Sequence, residues 1–223
     1  MIKQLKGTAL LIAMGFSAMA QTIDSTYDNG HYKDRQALFA SLPQQKHAIV
    51  FLGNSITEAG KWNEILPGLP VQNRGISGDN SFGVLARLPQ IVQAKPAKIF
   101  LLIGVNDLKR EVPANVIINN CERMLSMIKA GSPRTKVYVQ SILPVNDTIL
   151  IEPFKKVTNA NVALVNKAYE QLAKQYGYNF VNLHEPFADA KGQLKRAETP
   201  DGLHLKVSSY PAWVNYLRSK KYL

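Results

Sequence analysis

The stretch Ile49-Val50-Phe51-Leu52-Gly53-Asn54-Ser55-Ile56-Thr57 constrains this chain more than any other. Its apolar part is short, β-branched and aromatic, with no polar residue facing either side. That composition suits a strand buried on both faces, which is the environment of a parallel sheet covered by helices. Gly53 allows a sharp turn at the strand's end, and Ser55 follows at once. Open α/β sheets bind ligands just beyond the carboxyl ends of their strands, so Ser55 stands where chemistry is expected. Taken alone, Gly53-Asn54-Ser55 reads as turn chemistry rather than as a nucleophile.

The same rhythm recurs along the chain. Val71 to Gly75 reads as a second strand ending in glycine, and Lys98 to Ile103 as a third, ended by Gly104. Lys136 to Ile142 and Asn179 to Leu183 read as the fourth and fifth. Between them lie helical patterns. Ser81 to Gln93 repeats apolar residues at Phe82, Leu85, Leu88, Ile91 and Val92. A helix entered at Pro113 runs to about Ala130 and stops at Gly131. Asn159 to Tyr176 turns Val162, Val165, Ala168, Tyr169 and Leu172 inward and ends at Gly177. Tyr27 to Leu42 reads as an amphipathic opening helix, Lys61 to Leu66 as a short helix after the serine, and Ser208 to Leu217 as a closing helix. Pro144 to Val157 and Glu185 to Gly202 read as loops. Alternating strands and helices predict a parallel sheet of about five strands in a three-layer αβα sandwich, joined by right-handed crossovers.

Residues 1–20 differ in kind. Lys3 and Lys6 precede an apolar run from Thr8 to Met19, and Ala18-Met19-Ala20 is a small-x-small cleavage pattern before Gln21. This reads as a signal peptide cleaved after Ala20, which predicts an exported protein, periplasmic or secreted. The apolar run is shorter than the roughly 20 residues a membrane span needs. No cysteine follows the cleavage pattern to carry a lipid, so no membrane anchor is expected. Residues 21–223 are then one domain, since no linker, repeat or low-complexity block divides them. Cys121, the only cysteine, permits no internal disulfide, and its helical neighbours predict a buried core thiol. The formal charge is +11, or +9 once the two leader lysines are gone. The basic residues are scattered rather than striped, which predicts a solvated surface and no nucleic-acid partner.

Three strand ends carry polar strings that a parallel sheet would bring to one edge: Gly53-Asn54-Ser55, Gly75-Ile76-Ser77-Gly78-Asp79-Asn80 and Gly104-Val105-Asn106-Asp107. Asp201-Gly202-Leu203-His204 precedes the closing helix. Together these contain the parts of an acyl-transfer site. A serine needs a base, histidine is the usual one, and the histidine needs a carboxylate to fix its tautomer. Asp201 lies close enough to His204 for one tight turn to hold both. The backbone N–H groups of Ser55 and Gly78 and the side-chain amide of Asn106 are candidates for stabilising an oxyanion. Rival bases remain. His31 and His47 lie before the first strand or at its start, the wrong end of the sheet, whereas His184 follows the fifth strand and is the more serious alternative. Asp79 and Asp107 are rival orienting acids, read here as hydrogen-bonding supports of their loops. The chain has no Gly-x-Ser-x-Gly elbow, Walker loop, Gly-x-Gly-x-x-Gly after a strand or His-Glu-x-x-His. It offers no clustered metal ligands, so neither a metal nor a cofactor is expected.

These four blocks, in this order, resemble those of the SGNH hydrolase superfamily, also called GDSL-type esterases and lipases. Ser55 matches the first block, Gly78 the second, Asn106 the third, and Asp201 with His204 the last, over roughly His47 to Leu217. The first block of the superfamily usually reads Gly-Asp-Ser, and here asparagine stands at 54. The string from Asn73 to Asn80, followed by Val84-Leu85-Ala86-Arg87-Leu88, is similar to the platelet-activating-factor acetylhydrolase-like branch, which includes secreted bacterial carbohydrate O-acetylesterases. The resemblance implies the flavodoxin-like SGNH hydrolase fold and a Ser55–His204–Asp201 triad with an oxyanion hole from Ser55, Gly78 and Asn106. It also implies small acyl esters, acetyl above all, on a small-molecule or glycan substrate such as a sialic acid or a hemicellulose sugar. Two alternatives stand beside it. One is a lysophospholipase or thioesterase, which would need a long apolar groove that the polar Asn146 to Thr158 stretch does not suggest. The other is a catalytically silent glycan-binding protein on the same fold.

Overall fold

The structure is a computed structural model that describes residues 23–43 and 45–223. The leader and its cleavage pattern lie outside the described residues. Five strands form one sheet: β1 (Ile49–Gly53), β2 (Val71–Gly75), β3 (Lys98–Leu102), β4 (Lys136–Gln140) and β5 (Asn179–Val181). Their spatial order is β2-β1-β3-β4-β5, and every neighbouring pair is parallel. In this order the chain leaves β1 toward one edge of the sheet and returns at β3 on the other side of β1. The loops after β1 and β3 therefore diverge and open a crevice at the carboxyl ends of the central strands.

The two faces of the sheet are filled differently. On one, Phe51 of β1, Phe100 of β3 and Tyr138 of β4 stand in register and stack with ring centroids 4.9 and 4.5 Å apart. Trp62, opening the short helix α3 (Trp62–Ile65), continues the row 3.9 Å from Phe51. Trp213, in the last helix, meets Trp62 edge-on at 5.2 Å. The other face packs against three long helices: α4 (Ser81–Gln93), α6 (Ala114–Gly131) and α7 (Asn159–Tyr176). Cys121 is fully buried within α6, where burial pushes its thiol up. No helix among the described residues is long and apolar enough to cross a membrane.

Helices α4 and α7 span the expected residues. Asn80 caps α4 by accepting from the Phe82 and Gly83 amides, and Gly177 closes α7 in the left-handed conformation. The opening helix α1 is Gly30–Ser41, begun by Asn29, and so starts three residues later than expected. The stretches after β1, β3 and β5 contain the short helices α2 (Ser55–Glu58), α5 (Val105–Lys109) and α8 (His184–Phe187). One turn is too short to show an apolar period, which is why loops were expected there. The closing segment is a 3₁₀ turn (Val207–Ser209) leading into α9 (Tyr210–Ser219). Strand β4 stops at Gln140 because the Asn166 amide takes over both backbone groups of Ile142, accepting its N–H at 2.7 Å and donating to its carbonyl at 2.9 Å.

Candidate active site

The crevice receives side chains from four places in the chain. Ser55 is the first residue of α2, immediately beyond the end of β1. Asn54 is fully buried and accepts the Ile56 N–H at 3.0 Å, so it starts the helix that presents the serine. From the opposite side, Tyr210 of α9 donates its hydroxyl to the Ile56 carbonyl at 2.6 Å and holds the same helix down.

His204 comes from the segment before α9. Its Nε2 lies 3.0 Å from Ser55 Oγ, and its Nδ1 lies 2.6 Å from Asp201 Oδ2. A carboxylate at that distance fixes the Nδ1–H tautomer and leaves Nε2 free to accept from the serine. Asp201 is saturated with hydrogen bonds: its other oxygen accepts the Leu203 and His204 amides at 3.0 and 2.8 Å. Burial pushes the Asp201 carboxyl up, but the bonds from the His204 ring and from these amides outweigh it and hold it below the usual carboxylate value. Gly202 makes the turn possible. Its φ is +89°, and a Cβ there would stand 2.7 Å from the Asn146 carbonyl oxygen. The Asn146 amide in turn donates to the Gly202 carbonyl at 2.7 Å. The irregular 144–158 stretch thus underpins the Asp201–His204 turn, with Val145, Leu150 and Val157 buried beneath it. It is less polar than its sequence suggested.

Gly78 occupies the third position of a turn closed by the Asp79 N–H donating to the Ile76 carbonyl at 3.1 Å. Its φ of +81° is what that position of a type II turn demands, and glycine meets the demand without strain. Neither its N–H nor that of Ser55 is engaged within the protein among the described residues. Asn106, on α5, donates one amide hydrogen to the Asp79 carbonyl at 2.8 Å, which leaves the second available to another acceptor. The three candidate donors and the serine therefore share one edge of the sheet.

The supports behind the loops are buried. Arg87 of α4 grips Asp79 Oδ2 through Nε at 2.9 Å and Nη2 at 2.8 Å, and also donates to the Gly53 and Arg74 carbonyls. Asp107 accepts the Ser81 N–H and hydroxyl, and Asn120 donates to that hydroxyl at 2.8 Å. Burial pushes both Asp79 and Asp107 up to about 6, against the pull of Arg87 on the first and of the Ser81 bonds on the second. These are supports of the loops, as expected from their positions.

The rival histidines are placed elsewhere. His184 Nε2 lies 3.1 Å from the Ile142 carbonyl and 3.3 Å from the Asn166 amide, beside the β5 edge, and burial pushes its pKa down. His47 precedes β1 at the amino end of the sheet. His31 departs from expectation. Helix α1 carries it round to the carboxyl edge, where its ring lies 3.1 Å from Glu58 of α2. Two further residues had no signal in the sequence. Phe154 sets its ring against His204 (centroids 5.4 Å apart, planes at 79°), and Lys109 Nζ lies 5.0 Å from the Phe154 ring. Phe154 comes from an irregular segment with no period to read. No group of three or more metal-ligating side chains occurs among the described residues.

Comparison with known proteins agrees with this architecture. The family described as GDSL-like Lipase/Acylhydrolase matches residues 51–211. An arylesterase of Vibrio mimicus is 32% identical over 118 residues, which are 46% of this chain and 58% of that protein. Human platelet-activating factor acetylhydrolase IB subunit alpha2 is 26% identical over 168 residues, 73% of this chain and 70% of that protein. A Streptococcus pneumonia structure provisionally described as a platelet activating factor superposes with a TM-score of 0.76 at 31% identity, covering 85% of this chain and 90% of that one. A GDSL-like lipase from Bacteroides thetaiotaomicron gives 0.71 at 25% identity, covering 86% and 98%. The chain belongs to the GDSL-like lipase/acylhydrolase family and is an ester hydrolase of that family.

Proposed function

We propose that this GDSL-like hydrolase is a serine esterase that removes small acyl groups, acetyl above all, from carbohydrate alcohols. The observation that carries the reading is the continuous hydrogen-bonded line from Ser55 Oγ through His204 to Asp201, at 3.0 and 2.6 Å. His204 Nε2 takes the proton of Ser55 as Oγ bonds to the ester carbonyl carbon. Asp201 keeps the imidazolium oriented and balanced in charge. The carbonyl oxygen becomes an oxyanion that the Ser55 and Gly78 N–H groups and the Asn106 amide stabilise. The C–O bond to the alcohol then breaks, and His204 returns the proton to the departing oxygen. Water, deprotonated by His204, attacks the acyl-serine, releasing the acid and regenerating Oγ–H.

The acetyl preference is supported by the acetylhydrolase relative, whose name states the group it removes. The string from Asn73 to Asn80 followed by Arg87 supports the same branch. The net charge, +11 reduced to +9 without the two leader lysines, suits an acidic glycan, and the leader pattern suits an enzyme that meets glycans outside the cytoplasm. The test is acetate release from acetylated xylan, O-acetyl sialic acids and simple acetylated sugars, together with p-nitrophenyl esters from C2 to C12. The wild type should release acetate and lose activity as the chain lengthens, whereas a rising preference for long chains would favour the lipase or thioesterase alternative. Ser55→Ala should abolish both turnover and labelling by an organophosphonate; retained labelling would place the nucleophile elsewhere.

A further inference from the structure

We infer that Glu58 is a positioning residue that sets the spacing between the two backbone donors of the oxyanion site, an inference that rests on the roles just proposed for Ser55 and Gly78. Glu58 ends the helical turn that begins at Ser55, and the Ala59 N–H closes that turn on the Ser55 carbonyl at 2.9 Å. Its backbone is therefore fixed relative to the serine. Across the crevice, Oε2 accepts two bonds from the residue before Gly78: the Ser77 N–H at 2.5 Å and the Ser77 hydroxyl at 2.6 Å. Both bonds converge on one oxygen, so they fix the Ser77 backbone in direction as well as distance.

The peptide that carries the Gly78 N–H is thus held from both ends. On its far side the turn is closed by the Asp79 N–H on Ile76, and on its near side Ser77 is pinned to Glu58. Without the carboxylate, the near side is a solvent-exposed serine followed by a glycine, the least restricted residue in the chain. Helix α1 completes the arrangement. His31 Nε2 lies 3.1 Å from Oε2, and Arg35 Nε lies 3.3 Å from Oε1 while Arg35 Nη2 donates to the Gly75 carbonyl at 3.1 Å. Burial pushes the Glu58 carboxyl up, but the Ser77 hydroxyl, His31, the Ser77 amide and Arg35 outweigh it and keep it ionised. A carboxylate that accepts both the N–H and the hydroxyl of Ser77 acts on the geometry of the donors and touches no reacting atom. Its loss is expected in the chemical step rather than in substrate binding.

The experiment compares Glu58→Ala, Glu58→Gln, Ser77→Pro and Ser55→Ala with the wild type in kcat and KM on p-nitrophenyl acetate, with a melting curve for each. A misplaced donor pair should cut kcat of Glu58→Ala about 10²-fold with KM little changed. Glu58→Gln keeps an oxygen that accepts both Ser77 bonds and should recover most of that loss. Ser77→Pro removes both donors yet suits the second position of the turn, so it should lower kcat in the same way with the fold intact. It carries the test if Glu58→Ala fails to fold. Folded Glu58→Ala or Ser77→Pro with wild-type kcat, a loss confined to KM, or Glu58→Gln as impaired as Glu58→Ala would each overturn the inference. Turnover retained in Ser55→Ala would instead overturn the underlying reading of the nucleophile.

Discussion

Replacing Arg87 by methionine should be among the most damaging single changes in the molecule. The guanidinium side chain is 1% exposed and its partner Asp79 0%. The change deletes the only cation in contact with a buried carboxylate among the described residues, and it strips two backbone carbonyls, Gly53 and Arg74, of their donor. Breaking one side of a fully buried ion pair costs about 3–5 kcal/mol, because the remaining charge has no compensation. For a chain of this length each kcal/mol lowers Tm by roughly 2–4 °C, so the melting point should fall by about 6–20 °C. Asp79 itself determines how the loss varies with pH. Burial already raises its pKa to about 6, so stability from its protonated form is present in acid and lost as the pH rises through that value. Without Arg87 the carboxyl escapes its penalty only by holding a proton, and the deficit should be smaller at pH 5 than at pH 8. The double variant Arg87→Met with Asp79→Asn removes the stranded charge and should regain more than half of the loss. Melting curves followed by near-ultraviolet circular dichroism at the two pH values provide the measurement. A single variant that costs under about 1 kcal/mol, or a double variant no more stable than the single one, would refute the view that this pair ties the ends of β1 and β2 to the Gly78 loop.

Other outcomes follow from the same geometry. Asn106→Ala removes one side-chain donor from the proposed oxyanion site and should lower turnover roughly 10²–10³-fold while the protein stays folded; a loss below about fivefold would remove Asn106 from that role. Asp107 is likewise raised to about 6 by burial, so the folded state binds its proton more tightly than the unfolded chain and the stability it confers is lost as the pH rises through about 6. Asn at 107 does not titrate, so the melting-point advantage of the wild type over Asp107→Asn should be larger at pH 4 than at pH 8. An acidic acetylated sugar attracted by the basic surface should be turned over less efficiently at 1 M than at 0.05 M salt, and a neutral sugar unaffected; equal responses would dismiss electrostatic steering.

The residues legible in the sequence share a property: each lies in a short string at the end of a strand. The apolar run Ile49–Leu52 marks a strand buried on both faces, and Gly53, Gly75 and Gly104 mark where such strands stop. Ser55, Gly78 and Asn106 follow those stops, so the parallel order of the sheet gathers them without further information. Asp201 and His204 are readable because one turn contains both. What escaped reading depends on contacts between distant segments. The position of His31 turns on how α1 wraps the sheet edge, which the order of elements does not state. Phe154 reaches His204 from a stretch without period, and Asn166 bonds the backbone beyond β4 from a distant helix. Glu58 carries no signal of its own in the sequence, because its partner lies on the next strand's loop.

Ser55 and His204 are separated by 149 positions, and α9, which lies beyond His204, contributes both Tyr210 against the serine's helix and Trp213 against Trp62. The proposed nucleophile is therefore synthesised long before either the proposed base or the helix that covers the serine's own support. A chain that ends after β4 holds Ser55 but lacks the proposed base. On the proposed roles, the line from Ser55 through His204 to Asp201 is complete only once the segment from Asp201 to Ser219 has docked against the turn that begins at Ser55.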